Sequence, residues 1–291
     1  MDQLQWQLLT GILRKVTRAL PRLRRARYSD LLIARLYFWA LLHDRPMTWS
    51  LQSVHYTRLF RPRKRPSISQ LNRRIASPRF QHLLQRTHER LTASARSART
   101  YLIDGKPLNV SPCSADRDAR AGQMGRGYKL HAVVTQQGQI PMFCVQPLNR
   151  HEMPVARVML QAMGPLSPGT LVLADGNYDA HVLHKDVAAL GGWLITRPRG
   201  YATHPVTRRQ MGAARRTLID LWQHHPRLMG RLYRQRGTIE RVFGHLGCTP
   251  GLLGPLPGFV RGLARVRRWV GGKICLYHAR CQAKQSLAAV G

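Results

Sequence analysis

Two short apolar runs, YLI at 101–103 and LVLA at 171–174, end in the same dipeptide: Asp104-Gly105 and Asp175-Gly176. Runs this short, bounded by turn residues, read as buried strands rather than as helices. An aspartate closing such a strand stands at its carboxyl end, which is where α/β sheets bind ligands. A glycine directly after it lets the backbone turn sharply or come close to a ligand. The fold must therefore be a sheet that brings two carboxylates to one end. Two aligned carboxylates repel unless a cation sits between them, and oxygen-only donors select a hard ion, Mg²⁺ or Mn²⁺.

Acids are scarce enough for their positions to carry information. The chain has 47 Lys and Arg against 13 Asp and Glu, a formal net charge of +34 and an isoelectric point near 11.7. GC-rich coding explains arginine in place of lysine, but not the missing acids. Such a surface calls for a polyanion: double-stranded DNA carries one charge per ~1.7 Å of axis and releases counterions when bound. Arginine, the dominant base here, has a planar fork that suits phosphates and guanine edges. A third informative acid, Glu240, lies in RQRGTIERVFGHL, where Ile239, Phe243 and Leu246 have helical spacing. Tyr233 and Arg236 precede it by seven and four residues, which predicts one shared helix face for all three.

Residues 1–98 read as a helical, basic region. Ser29 is the expected cap of a helix carrying Leu31, Leu32 and Leu36, and Ser67 of another carrying Ile68, Leu71 and Ile75. Between them lies RPRKRP at 61–66, so Arg63, Lys64, Arg65, Arg73 and Arg74 are candidate DNA contacts. Helix, basic loop and short helix suit a helix-turn-helix reader, or a basic subdomain that packs on the remainder. Residues 99–291 change character. Strands are expected at 101–104, 129–135, 140–146, 171–174 and 193–196, with helices at 153–163 and 180–190. Three strands followed by alternating helices and strands is the element order of an RNase H-like α/β domain, a mixed sheet flanked by helices. A later helix over 259–277, with Phe259, Leu263, Val266, Val270 and Ile274 on one face, is expected to close the same domain.

The blocks YLIDGKPL, GRGYKLHAVVTQQGQIP, LVLADGNYDA and LYRQRGTIERVFGHL occur in order and with suitable spacing. Together they resemble the catalytic domain of DDE transposases of bacterial insertion sequences, over about residues 100–280. The resemblance implies that Asp104, Asp175 and Glu240 are a catalytic, metal-binding triad for Mg²⁺ or Mn²⁺. It implies cleavage and strand transfer at terminal inverted repeats, on double-stranded DNA, by a homodimer or higher oligomer that holds both element ends. Tyr233, Arg236 and Glu240 match three positions of the family's Tyr, Arg, Glu, Lys signature; at the fourth, seven residues after Glu240, stands Gly247. That departure keeps open a catalytically decayed or domesticated DNA-binding protein, beside a metal-dependent nuclease of the same fold.

Other polar residues have bland readings at this stage. Lys106 and Lys129 contact DNA phosphates or are solvated strand charges, His131 is a sheet-face residue, Asp179 caps the next helix, and Glu152 is a first-turn acid favoured by the helix dipole. The five cysteines are scattered and odd in number, which argues against a disulfide framework. Cys275, His278 and Cys281 have plain helical spacing, and no organic cofactor site is expected. The most apolar stretch, 31–42, contains Arg35 and falls short of the run of about 20 residues that spans a bilayer. With no secretory pattern at the start, a cytoplasmic, nucleoid-associated protein is expected.

Overall fold

The computed structural model describes residues 3–21, 23, 26–199 and 211–288. The first elements are helices α1 (Gln3–Ala19), α2 (Asp30–Leu42), α3 (Ile68–Ala76) and α4 (Pro78–Leu91). Then come β1 (Thr100–Asn109), β2 (Arg120–Gly122), β3 (Gly125–Thr135), β4 (Met142–Pro147), α5 (Glu152–Met163), β5 (Thr170–Ala174), α6 (His181–Ala189) and β6 (Gly192–Ile195). Four helices follow, α7 (Ala213–His224), α8 (Pro226–Arg234), α9 (Gly237–Cys248) and α10 (Leu263–Ala288). The chain forms two compact units: Ser94–His245, and Met1–Ala93 together with Leu246–Gly291.

The first of these units is built on a six-stranded sheet in the order β2-β3-β1-β5-β6, with β4 on β3. β3 runs antiparallel to β1, β2 and β4, whereas β5 lies parallel to β1 and β6 parallel to β5. Antiparallel strands β1 to β4 leading into the parallel β5 and β6, with helices on both faces, match the RNase H-like arrangement. Alternation along the strands feeds two cores. Ile103, Val133, Val172 and Ala174 pack with Met159 and Leu160 of α5 and Leu183 and Val187 of α6. On the other face Leu173 and Ile195 pack with Leu218 of α7 and Met229 of α8.

Two strands depart from expectation. β1 does not end at Asp104 but continues to Asn109, paired with β3 through Asn109↔Gly127. The short β2 has every residue exposed, so it lacks the apolar alternation by which a strand is recognised.

The second unit is helical. Ser29 caps α2 by accepting from the Leu32 N–H, and Ser67 and Gln70 form a reciprocal capping box on α3. α10, expected with the catalytic part, instead groups with the N-terminal helices. The reason is its apolar face: Val266, Val270 and Ile274 are buried, and α10 packs along α1, α2 and α4. Polar ties add register, with Gln5 Nε2 donating to the Leu276 carbonyl at 3.0 Å and Gln282 Nε2 to that of Leu91 at 2.8 Å. Lys273, fully buried on α10, donates to the carbonyls of Leu41 and Gly251 and to Asp44. A cation there is favoured by the carboxyl end of the α2 dipole.

The helix-turn-helix reading of α2 and α3 does not hold geometrically. They are joined by residues 43–67, which include two 3-10 turns, whereas that motif uses a turn of about three or four residues. Instead Asp30, in the first turn of α2, receives Arg74 at 2.6 Å and Arg79 at 2.7 Å. Among the described residues no helix is long and apolar enough to cross a membrane.

Candidate active site

The β1–β5 ladder places the two aspartates. Its last pair is Ile103↔Ala174, so Asp104 and Asp175 are the next residues on neighbouring parallel strands, whose usual spacing is about 4.8 Å. They continue the face of Leu102 and Leu173, on the side of α7 and α8. Asp104 Oδ1 accepts from the Gly105 N–H at 2.8 Å. Asp175 caps the 3-10 turn Gly176–Tyr178, with Oδ1 accepting from the Asn177 N–H at 2.8 Å.

Glu240 reaches the same place through one arginine. Arg236 Nη1 donates to Glu240 Oε1 at 2.7 Å and Nη2 to Asp104 Oδ2 at 3.0 Å. A single guanidinium thus clasps acids 136 residues apart in sequence, Asp104 and Glu240.

The single continuous helix expected for Tyr233, Arg236 and Glu240 is broken. Tyr233 belongs to α8, Gln235 and Arg236 form a turn, and α9 starts at Gly237. The Arg236 N–H bonds to the Tyr233 carbonyl, an i→i−3 turn bond, and glycine at the restart is a poor helix former. Tyr233 packs in the α7–α8 core with Trp222 at its edge and the Arg197 guanidinium over its ring at 5.4 Å.

Burial, more than any other cause, pushes the Asp104 carboxyl up to about 6; the Gly105 N–H and Arg236 pull it down, while Asp175 and Glu152 push it further up. Glu152 is the participant that sequence reasoning missed. A first-turn acid is explained by the helix dipole alone, so nothing local marked it. Its Oε1 accepts from Lys129 Nζ at 2.8 Å, which takes up the charge that was expected to face phosphate or solvent. A Cβ built on Gly105 would lie 2.9 Å from Lys129 Cδ and 3.0 Å from Glu152 Oε1. Gly105 therefore serves close packing within β1, not a turn. Lys106, two residues along β1 from Asp104, is half-buried on the same strand face as Asp104.

Asp179 is not a helix cap. The cap position of α6 is Ala180, and Asp179 is buried behind it. It accepts two bonds from Arg215, at 2.9 and 2.7 Å, with His184 at 3.2 Å and the Arg199 N–H at 3.2 Å. Burial alone would raise its pKa, but His184, Arg215 and Arg199 together hold it well below the usual carboxylate range. His131 is fully buried, and burial, with Lys129 adding to it, lowers its pKa to about 4.

In the helical unit Arg63, Lys64, Arg65 and Arg73 are exposed, whereas Arg74 is committed to Asp30. On α9, Gly244 and Gly247 follow Glu240 at helical steps of four and seven, so the helix face beyond the acid is bare.

The residues fit a hard divalent cation by donor chemistry: the carboxylate oxygens of Asp104 and of Asp175, neighbours by strand register. Among the described residues no ready group of three ligating side chains is drawn together, because Arg236 lies between Asp104 and Glu240. A family model described as the transposase DDE domain matches residues 95–248. The chain belongs to the DDE transposase family. Among solved structures, the piggyBac transposase synaptic complex with hairpin DNA, determined by cryo-EM, matches this transposase over 97% of its chain and 74% of its own. Identity is 9% and the TM-score 0.36, a likeness too loose to carry an argument. No curated protein matches this transposase.

Proposed function

We propose that this transposase binds the terminal inverted repeats of its mobile element and carries out metal-dependent DNA cleavage and strand transfer, with Asp104, Asp175 and Glu240 as the metal-holding acids. The observation that supports it most is the Arg236 clasp between Asp104 and Glu240, beside an Asp175 set next to Asp104 by strand register. Strand register sets Asp104 beside Asp175, and Glu240 is joined to Asp104 through Arg236.

Mg²⁺ or Mn²⁺ held there supplies activation of the attacking oxygen and stabilisation of the leaving 3′ oxygen. The chain's own groups prepare the place. Asp104 and Asp175 are oriented by the backbone N–H groups of Gly105 and Asn177, while their second oxygens accept from Arg236 and from the Asn177 side-chain amide. Arg236 balances the acids and offers a planar fork that matches a phosphate. Exposed Arg63, Lys64, Arg65 and Arg73 act as the sequence-reading and phosphate-binding face of the helical unit. A dimer or larger assembly holds both element ends during the reaction.

The test is an assay on DNA carrying the element's ends, with Mg²⁺ or Mn²⁺ at one stated ionic strength, across Asp104→Ala, Asp175→Ala and Glu240→Ala. All three variants are expected to bind DNA as the wild type does while losing nicking and joining. Gly247 favours a second reading, a DNA-binding protein without catalysis. Wild type and Asp104→Ala would then behave alike, binding without nicking. Hydrolysed ends with no joined product would point to a nuclease of this fold.

A further inference from the structure

We infer that Glu152 is a positioning residue of this acid site, fixing how Asp104 and Asp175 stand relative to each other; the inference rests on the metal-site reading above. Glu152 is the first residue of α5 and touches or faces three separate pieces of the sheet.

On β3 it holds Lys129 at 2.8 Å, with both side chains about four-fifths withdrawn from solvent. An ion pair of this burial is a fixed structural element rather than a solvated surface pair. On β1 the pair lies against the backbone of Gly105, where no side chain would fit. Gly105 is the residue after Asp104, and its N–H orients the Asp104 carboxylate. At the end of β5 stands Tyr178, which closes the turn that Asp175 caps. Its hydroxyl is fully buried and makes no hydrogen bond of ordinary geometry. The turn that carries it packs against α5, of which Glu152 is the first residue. One carboxylate thus ties the β3 lysine to the backbone beside Asp104, at the start of the helix that packs on the turn behind Asp175. Lys129 offsets part of its charge and fixes its position.

Outer groups that orient metal ligands typically contribute about tenfold to a hundredfold in metal affinity. The experiment is titration of the full chain with Mn²⁺ alone, followed by the loss of the free-ion EPR signal, beside thermal melting without metal. Asp104→Asn is expected to abolish tight binding. Glu152→Gln is expected to weaken it about tenfold, with Glu152→Asp recovering part of the loss. Lys129→Met is the discriminating variant. If Glu152 acted only as a charge at a distance, leaving it unneutralised would strengthen Mn²⁺ binding. As a positioning residue it loses its tether, and binding weakens. Wild-type affinity in Glu152→Gln, or tighter binding in Lys129→Met, overturns the inference while Asp104→Asn still loses the metal. Unchanged binding in Asp104→Asn would instead sink the acid site itself. Should Glu152→Gln fail to fold, Lys129→Met decides: a weakening supports the inference, and wild-type or tighter affinity overturns it.

Discussion

Asp175 and Asp179 flank the same short turn, yet they stand in opposite electrostatic regimes. Behind the turn, Asp179 is surrounded by donors: both arms of Arg215, His184 and a backbone N–H. In front of it, Asp175 shares its surroundings with Asp104 and Glu152, while one Arg236 serves both Asp104 and Glu240. The first cluster is complete, and burial there is outweighed by its partners. In the second, burial outweighs the Gly105 N–H and Arg236, and the Asp104 carboxyl rises to about 6. A buried acid with all its donors holds a fold together, whereas Asp104, with fewer donors, is left with a raised pKa.

The contrast can be broken by mutation. Arg215→Leu leaves Asp179 as an uncompensated buried carboxylate and is expected to cost about 3–5 kcal/mol in urea unfolding. Because the folded pKa of Asp179 is depressed, the stability it contributes is present above the ordinary carboxylate pKa and is lost as pH falls through the lower folded value. If Arg215→Leu unfolds at the wild-type urea midpoint, the two clusters do not differ as described.

Asp104→Asn should act in the opposite direction. A rise from 3.8 to about 6 corresponds to roughly 3 kcal/mol at about 1.4 kcal/mol per unit. The folded state holds this proton more tightly, so the cost is present above pH 6 and vanishes as pH falls below the unfolded value. Without metal, the variant is expected to be more stable than wild type at pH 8 and equal to it near pH 3. Added Mn²⁺ should stabilise only the wild type.

A smaller effect sharpens the comparison from a third buried group. His131 is neutral inside the sheet, with its folded pKa lowered to about 4. Its contribution is therefore present above the unfolded value near 6.5 and fades as pH drops toward 4, by roughly 2 kcal/mol at pH 5. Replacing it with Leu should flatten the fall in melting temperature between pH 6.5 and 5. An unchanged slope would show that the ring is not held neutral.

The strand-end acids were readable because an apolar run broken by a carboxylate is a local signal. What lay beyond reach were the relations between distant segments. Arg215 bonds Asp179 from 36 residues away, and no periodicity links them. β1 runs on through Gly105 and Pro107, both poor strand formers, because β3 supplies a partner to Asn109. The break between α8 and α9 was masked by apolar spacing that persists across it. Helical spacing did find the buried face of α10, but it could not say which unit that face would join.

The composition of the helical unit has a consequence for how the chain is made. Its two parts, ending at Ala93 and resuming at Leu246, are separated by the whole of 94–245. At ribosomal rates of about 5–20 residues per second, α1 to α4 wait roughly 8 to 30 seconds before α10 can cover them. During that interval α1, α2 and α4 lack their final neighbour, while the sheet unit is being completed. Vectorial synthesis therefore favours the sheet unit maturing first and the helical unit last.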